Sequence, residues 1–323
     1  MNGPRGLRAF SNSRWNRQVA RRFITIAWPK ECCSMAQPES ADGTALSGTL
    51  VPAWRQWAAI GLGLLLTWSW VLVIVHFAPD ILGTEASTGI LSAFTLVLYG
   101  ALLPFALLAG WLSGTKVLRA GHAPMRWALI GSGLGAGGLG CALLMSWLNG
   151  ATVPGASATG LGGLVLTGIA LTLVQSAMEE VLFRGWLQPV LVQRIGQIAG
   201  IVASSITFMA FHLIGGAIQP MSMLVIALAG AMFGMLALRS GGIIAPVMAH
   251  AGWNASEDSV FGLVPNPGNE MFGSIVDLDL VGSPWWGGSD EGLNASLGAA
   301  VVLCAIILPL LVGKRPSAVA AHA

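Results

Sequence analysis

Two adjacent glutamates, one arginine and two histidines stand where charge is costly. Glu179 and Glu180 close a long apolar run, and Arg184 follows four residues after the second. His212 lies in the next apolar run. His250 lies in a later one, with Asn254 one helical turn on. Ionisable groups inside membrane-length apolar segments are functional candidates by default. Glu180 and Arg184, at i and i+4 with the acid first, have the better orientation for a helical ion pair. Glu179 then points about 100° away around the helix and keeps a carboxylate with no local partner. Such a partly desolvated carboxylate can accept a proton near neutral pH. Phe208 and His212 share one helical face, and His250 and Asn254 share another. A base, two imidazoles and an amide donor are the parts needed to activate water and hold an oxyanion. Glu179, His212 and His250 could equally hold a zinc ion with one position open.

The elements that must position these groups are membrane helices. The chain has 323 residues, of which 9% are charged and 54% hydrophobic, with a mean hydropathy of +0.73. Soluble domains carry about 25% charge, which excludes an ordinary soluble enzyme and a wholly disordered chain. A net charge of +2 gives no basis for nucleic-acid binding. Four cysteines, two adjacent and two inside apolar runs, make no disulfide framework. The fold class is all-α: a polytopic membrane bundle of about eight helices. Its expected spans are 57–77, 88–112, 127–148, 161–183, 200–217, 221–238, 242–256 and 294–312.

The charges agree with that count. All sixteen Lys and Arg residues fall on one side of an eight-span arrangement, with Arg184 and Arg194 together between spans four and five. The loops on the other side hold nine acids and no base. Both termini are therefore expected in the cytoplasm. Residues 1–50 read as a disordered basic tail, 51–125 as N-terminal helices, and 126–256 as the core that carries the chemistry. An acidic extracytoplasmic loop follows at 257–293, then a last helix and tail at 294–323. Residues 186–199 space apolar residues at helical intervals and read as an interfacial amphipathic helix. The run GSGLGAGGLG (131–140) permits close helix packing within the protomer.

Upright helices beginning at 161, 200 and 242 do not bring the polar groups to one depth. Glu179 falls near the cytoplasmic end of its span, while His212 is about 18 Å up and His250 about 12 Å up at 1.5 Å per residue. Tilt, a shifted span four or a water-filled cavity has to reconcile them. Other hydrolytic patterns are missing. There is no H-E-x-x-H and no G-x-G-D, and Ser204-Ser205 and Ser256 lack a nucleophile-elbow context. The sequons at Asn254 and Asn294 fall in or at the mouth of a span and are expected to stay unmodified.

E-E-V-L-F-R (179–184), F-M-A-F-H (208–212) and H-A-G-W-N (250–254) match E-E-x-x-x-R, F-x-x-x-H and H-x-x-x-N. In that order, with His212 28 residues after Arg184 and His250 38 residues after His212, they resemble the CAAX protease and bacteriocin-processing family, also called Abi. The resemblance covers about 125–256. It implies an intramembrane endopeptidase that hydrolyses a peptide bond with a glutamate-activated water. By the family pattern, Glu179 and His212 activate the water, His250 and Asn254 steady the oxyanion, and Glu180, Arg184 and Phe208 support them. It implies no certain cofactor and leaves zinc open. The partners it implies are a peptide or protein substrate and the lipid bilayer. The Gly- and Ala-rich composition, with Tyr99 as its single tyrosine, suits a bacterial plasma membrane. The competing reading is a non-enzymatic membrane protein, either a proton or small-molecule translocator or a protein that protects against a peptide by binding it. Intramembrane Glu and His also build proton relays.

Overall fold

The computed structural model describes residues 51–83, 87–156, 159–265 and 272–312. The basic tail at 1–50 lies outside them. Helix α1 (Ala53–Leu82) leads into α2 (Thr88–Gly100) and α3 (Leu102–Ser113), which form one nearly continuous span. Helix α4 (Pro124–Leu148) and a short strand β1 (Thr152–Pro154) precede α5 (Gly163–Glu180). A π-helical turn, Val181–Leu187, joins α5 to α6 (Gln188–Ile195). Then come α7 (Gln197–His212), α8 (Pro220–Ser240) and α9 (Ile244–Ala255). A second π turn, Ser256–Val260, ends α9. Strand β2 (Leu278–Leu280) and α10 (Leu297–Val312) complete the chain. A helical segment stands at each of the eight places where a span was expected.

The surface is that of a membrane protein. Leu65, Val97, Leu129, Leu166, Val202 and Leu308 each expose half or more of their area. A water-soluble monomer rarely tolerates so much contiguous apolar surface. Five of the described helical segments are long and apolar enough to cross a bilayer, and the helices at 197–212 and 297–312 are shorter and apolar. The chain is an integral, multi-pass membrane protein.

Segment four differs from expectation. It does not stop near 183 and resume as an interfacial helix. It runs for 33 residues, Gly163–Ile195, and breaks only at Gly196, whose φ of +85° the other residues avoid. Residues 197–199 open α7 instead. Pro189 can sit inside this long helix because the π turn comes just before it, where the Gln188 N–H already reaches Phe183 O rather than the usual partner. The face with Trp186, Leu187, Val190 and Leu191 is buried against protein, not lipid. Arg184, counted above with the cytoplasmic-side charges, is likewise buried. The extension puts Glu179 and Glu180 midway along the segment, which removes the depth mismatch.

Segment four is also the centre of the bundle. Its most apolar stretch is 44% buried, against 17% for the α2–α3 span. Leu182, Phe183 and Trp186 are fully enclosed. The glycine run of α4 works as expected of it. Helix α9 packs more extensively on α4 than on any other element. A Cβ on Gly131 would strike the Ala245 carbonyl, and one on Gly135 the Ala249 carbonyl. That contact fixes the height and rotation of α9, and with them His250.

A two-stranded antiparallel ribbon was not foreseen. Thr152 pairs with Leu280 and Pro154 with Leu278, so the acidic loop folds back on the α4–α5 connection. The turn before α9 is tied down from the α3–α4 loop, where Ile243 N–H donates to Arg119 O and His122 N–H donates to Ser240 O.

Candidate active site

Glu180 is the hub. Its Oε1 accepts from Arg184 Nη1 at 3.0 Å, the ion pair expected from the i, i+4 spacing. The same oxygen lies 3.0 Å from His250 Nδ1 on α9. Glu180 and Arg184 are completely enclosed and His250 nearly so. A buried carboxylate needs this much compensation, because an isolated charge would cost several kcal/mol in such a medium.

Arg184 has further partners. Its Nη2 donates to Gly230 O at 2.8 Å, and one turn later Gln188 Nε2 donates to Gly234 O at 2.9 Å. These two rungs stitch segment four to α8. Glycine is required at the lower rung, where a Cβ on Gly234 would sit 2.5 Å from Gln188 Oε1. The guanidinium also lies over Phe208 (4.5 Å), Phe233 (5.4 Å) and Phe183 (5.7 Å), as a cation in an aromatic cage.

Phe208 brings the third motif into place. Its ring is 4.6 Å from the His212 ring and 5.9 Å from the His250 ring. Both imidazoles therefore flank one phenyl group. Phe233 stacks on His250 at 4.8 Å with 20° between the planes. His212 Nδ1 is 2.9 Å from Phe208 O. A carbonyl can only accept, so Nδ1 carries the hydrogen and neutral His212 keeps its Nε2 lone pair free.

Glu179 is next to this hub but separate from it. It is 5% exposed, receives Gln175 Nε2 at 3.4 Å on Oε1, and has no partner at Oε2. Tyr99 on α2 lies within electrostatic reach of Glu179 and of Asp258 in the second π turn. Asn254 is half-buried one turn beyond His250. The structure thus gathers Glu180, Arg184, Phe208, His212 and His250 into one cluster, with Glu179 at its edge. The helices that bring Glu180 and His250 to the hub, α5 and α9, pass directly into π turns, which are frequent at functional sites.

Zinc fits poorly. Among the described residues no three His, Cys, Asp or Glu side chains converge on one point, so Glu179, His212 and His250 do not form a ligand set. Glu180 and His250 are committed to each other.

The segment 161–256 matches the family described as type II CAAX prenyl endopeptidase, Rce1-like. Those residues form a CAAX-protease-family domain. The domain begins at α5, so α4 and its glycine run, included in the sequence resemblance, lie outside the match. No curated protein and no solved structure matches the chain.

Gln188, Gly230, Gly234, Phe183 and Phe233 were missed from sequence. The Gly230-x-x-x-Gly234 spacing is the one signal that could have pointed to close approach at α8.

Proposed function

We propose that this CAAX-type membrane protease hydrolyses its peptide with Glu179 as the base that takes the proton from water. The observation that carries this reading is the division of labour between the two glutamates. Both glutamates keep an unpartnered Oε2, but Glu180 Oε1 is held by Arg184 and by His250, whereas Glu179 Oε1 receives the neutral amide of Gln175. In the proposed cycle Glu179 removes a proton as water attacks the scissile carbonyl. His212 offers its free Nε2 as the second group on that water. The proton then passes to the leaving amine, so water's OH ends on the acyl half and its H on the amine.

His250 and Asn254 would face the oxyanion. With Nδ1 donating to Glu180, His250 can also donate from Nε2 only in the form in which both ring nitrogens carry hydrogen, and we assign it that form. The proposed steps are carried by the chain's own side chains. The substrate side is a peptide presented at the bilayer, and the distribution of basic residues supports a reading with both termini in the cytoplasm of a bacterial cell.

The test is cleavage of a co-expressed membrane peptide. Glu179→Ala and His212→Ala should each abolish cleavage with protein level unchanged, and a chelator should leave wild-type cleavage intact. Full turnover in Glu179→Ala would sink the reading. Ion or proton flux through liposomes carrying the wild-type chain, without cleavage, would favour a translocator instead.

A further inference from the structure

Hydroxyls on these helices mostly bond back to their own backbone. Thr67 donates to Gly63 O, Thr95 to Leu91 O, Ser146 to Ala142 O and Ser205 to Ile201 O. Thr172 and Ser176 on α5 do not. They are 1% and 0% exposed, and neither hydroxyl oxygen has a partner. One turn further on, Glu180 Oε2 is also buried and unpartnered.

These three groups lie at successive four-residue steps on one face. The face begins at Gly168, where an added Cβ would be 3.3 Å from Ser259 Oγ and 3.0 Å from Phe272 Cβ. It ends at Glu180, 3.0 Å from His250. Thr172 and Ser176 therefore lie between the second π turn and the ion cluster, along the seam of α5 with α9. Buried polar atoms are almost always bonded to protein or to ordered water. Side chains four residues apart on a helix have Cβ atoms roughly 5–6 Å apart. None of the three is bonded to its neighbour, and groups at this spacing can share a bridging water.

We propose that a file of bound water occupies this face, with Thr172, Ser176 and Glu180 Oε2 as its successive partners, and that it feeds water to the buried carboxylates. The supply role rests on the hydrolase reading, because each turnover consumes one water. The binding of water does not. Thr172 and Ser176 are positioning residues here, since they act on the water and not on the substrate.

Thermal unfolding of the purified full chain in lipid nanodiscs separates wet hydroxyls from dry ones. Removing a dry, unpartnered hydroxyl relieves an uncompensated burial and raises Tm. Removing one that holds a water leaves that water a partner short and lowers Tm. We expect lower Tm in Ser176→Ala and in Thr172→Val, with Thr172→Ser restoring it. We also expect a several-fold loss of kcat at unchanged KM for the membrane peptide. A higher Tm in both variants overturns the water file, whatever the activity. A lower Tm with full kcat, while Glu179→Ala is inactive, overturns the supply role. A lower Tm in a protein whose wild type cleaves nothing overturns the hydrolase reading and leaves the file standing. If Ser176→Ala does not accumulate, Thr172→Val against Thr172→Ser carries the same comparison.

Discussion

Helix α9 serves two buried carboxylates, one at its middle and one just past its C-terminal end, and they are compensated in opposite ways. At the middle Glu180 meets a full countercharge in Arg184 and an imidazole in His250. Past the end, Glu257 is 2% exposed and meets a neutral amide. Asn294 Nδ2 lies 2.9 Å from both of its oxygens, and Asn294 Oδ1 accepts from Trp253 Nε1 at 3.2 Å. No cation reaches it in these contacts, and Asp258 beside it adds a like charge. Burial, with Asp258 next, pushes the Glu257 carboxyl up to about 8, against the opposing pull of the Asn294 bond. One carboxylate is stabilised by charge and the other by holding a proton. The first arrangement suits a site that must keep a fixed electrostatic pattern. The second ties the loop to the bundle: it clamps the second π turn to the 3-10 turn at Gly292–Ala295 that opens α10. It also engages the side-chain amide of Asn294 on both its nitrogen and its oxygen.

The sharpest break of the comparison is to remove the countercharge. Arg184→Met leaves the enclosed Glu180 carboxylate with the His250 imidazole but without its countercharge, and deletes the bond to Gly230. It should cost about 3–5 kcal/mol, the usual toll for breaking one side of a buried ion pair. The measurement is accumulation and Tm in nanodiscs. Arg184→Met with Glu180→Gln should recover part of the loss, because the buried charge is then gone. A single variant as stable as wild type would mean that the pair does not hold the bundle.

The rail that holds α9 comes next. Gly135→Ala drives a Cβ into the Ala249 carbonyl and should cost about 1–3 kcal/mol by overpacking. Cleavage should fall further than stability, because His250 moves with Ala249. Gly137→Ala, two residues on, meets nothing within 4 Å. It should be neutral, or stabilising by up to about 1 kcal/mol through helix propensity. Equal effects of the two substitutions would show that α9 is not positioned by this contact.

What the sequence disclosed follows from the range of each interaction. Eight helical segments were legible because each is a long apolar run bounded by charge or by Gly and Pro. The Glu180–Arg184 pair was legible because it is local, and the three motifs because each lies within one or two turns. The contacts that assemble the site were not legible. Arg184 to Gly230 and Gln188 to Gly234 end on backbone carbonyls, which carry no residue-type signature. His250 sits 70 residues from Glu180, and nothing in two adjacent glutamates says which would face it. The π turn at Val181–Leu187 adds a residue to the turn without changing composition. The polar residues after it, Gln188, Gln193 and Arg194, therefore read as an interface rather than the continuation of a central helix. Glu257 read as a solvated loop acid, because its burial depends on Asn294 and Trp253 closing over it.

The last test addresses the proton-holding site directly, as a slope in pH rather than a single loss. The folded state keeps a proton on Glu257 up to about pH 8, whereas the unfolded chain releases it near the ordinary value of 4.5. Between those limits the folded state binds more protons. Stability contributed by Glu257 is therefore fully present below about 4.5, falls as pH rises, and is gone above about 8. The slope can reach about 1.4 kcal/mol per pH unit within the window. Glu257→Gln keeps the shape, an acceptor for Asn294 and no charge, so its Tm should be flat across the same range where the wild type declines. The variant should match wild type near the acidic limit and exceed it above pH 8. If wild type and variant decline in parallel, the proton on Glu257 is not what compensates its burial, and the two carboxylates would have to be compensated alike.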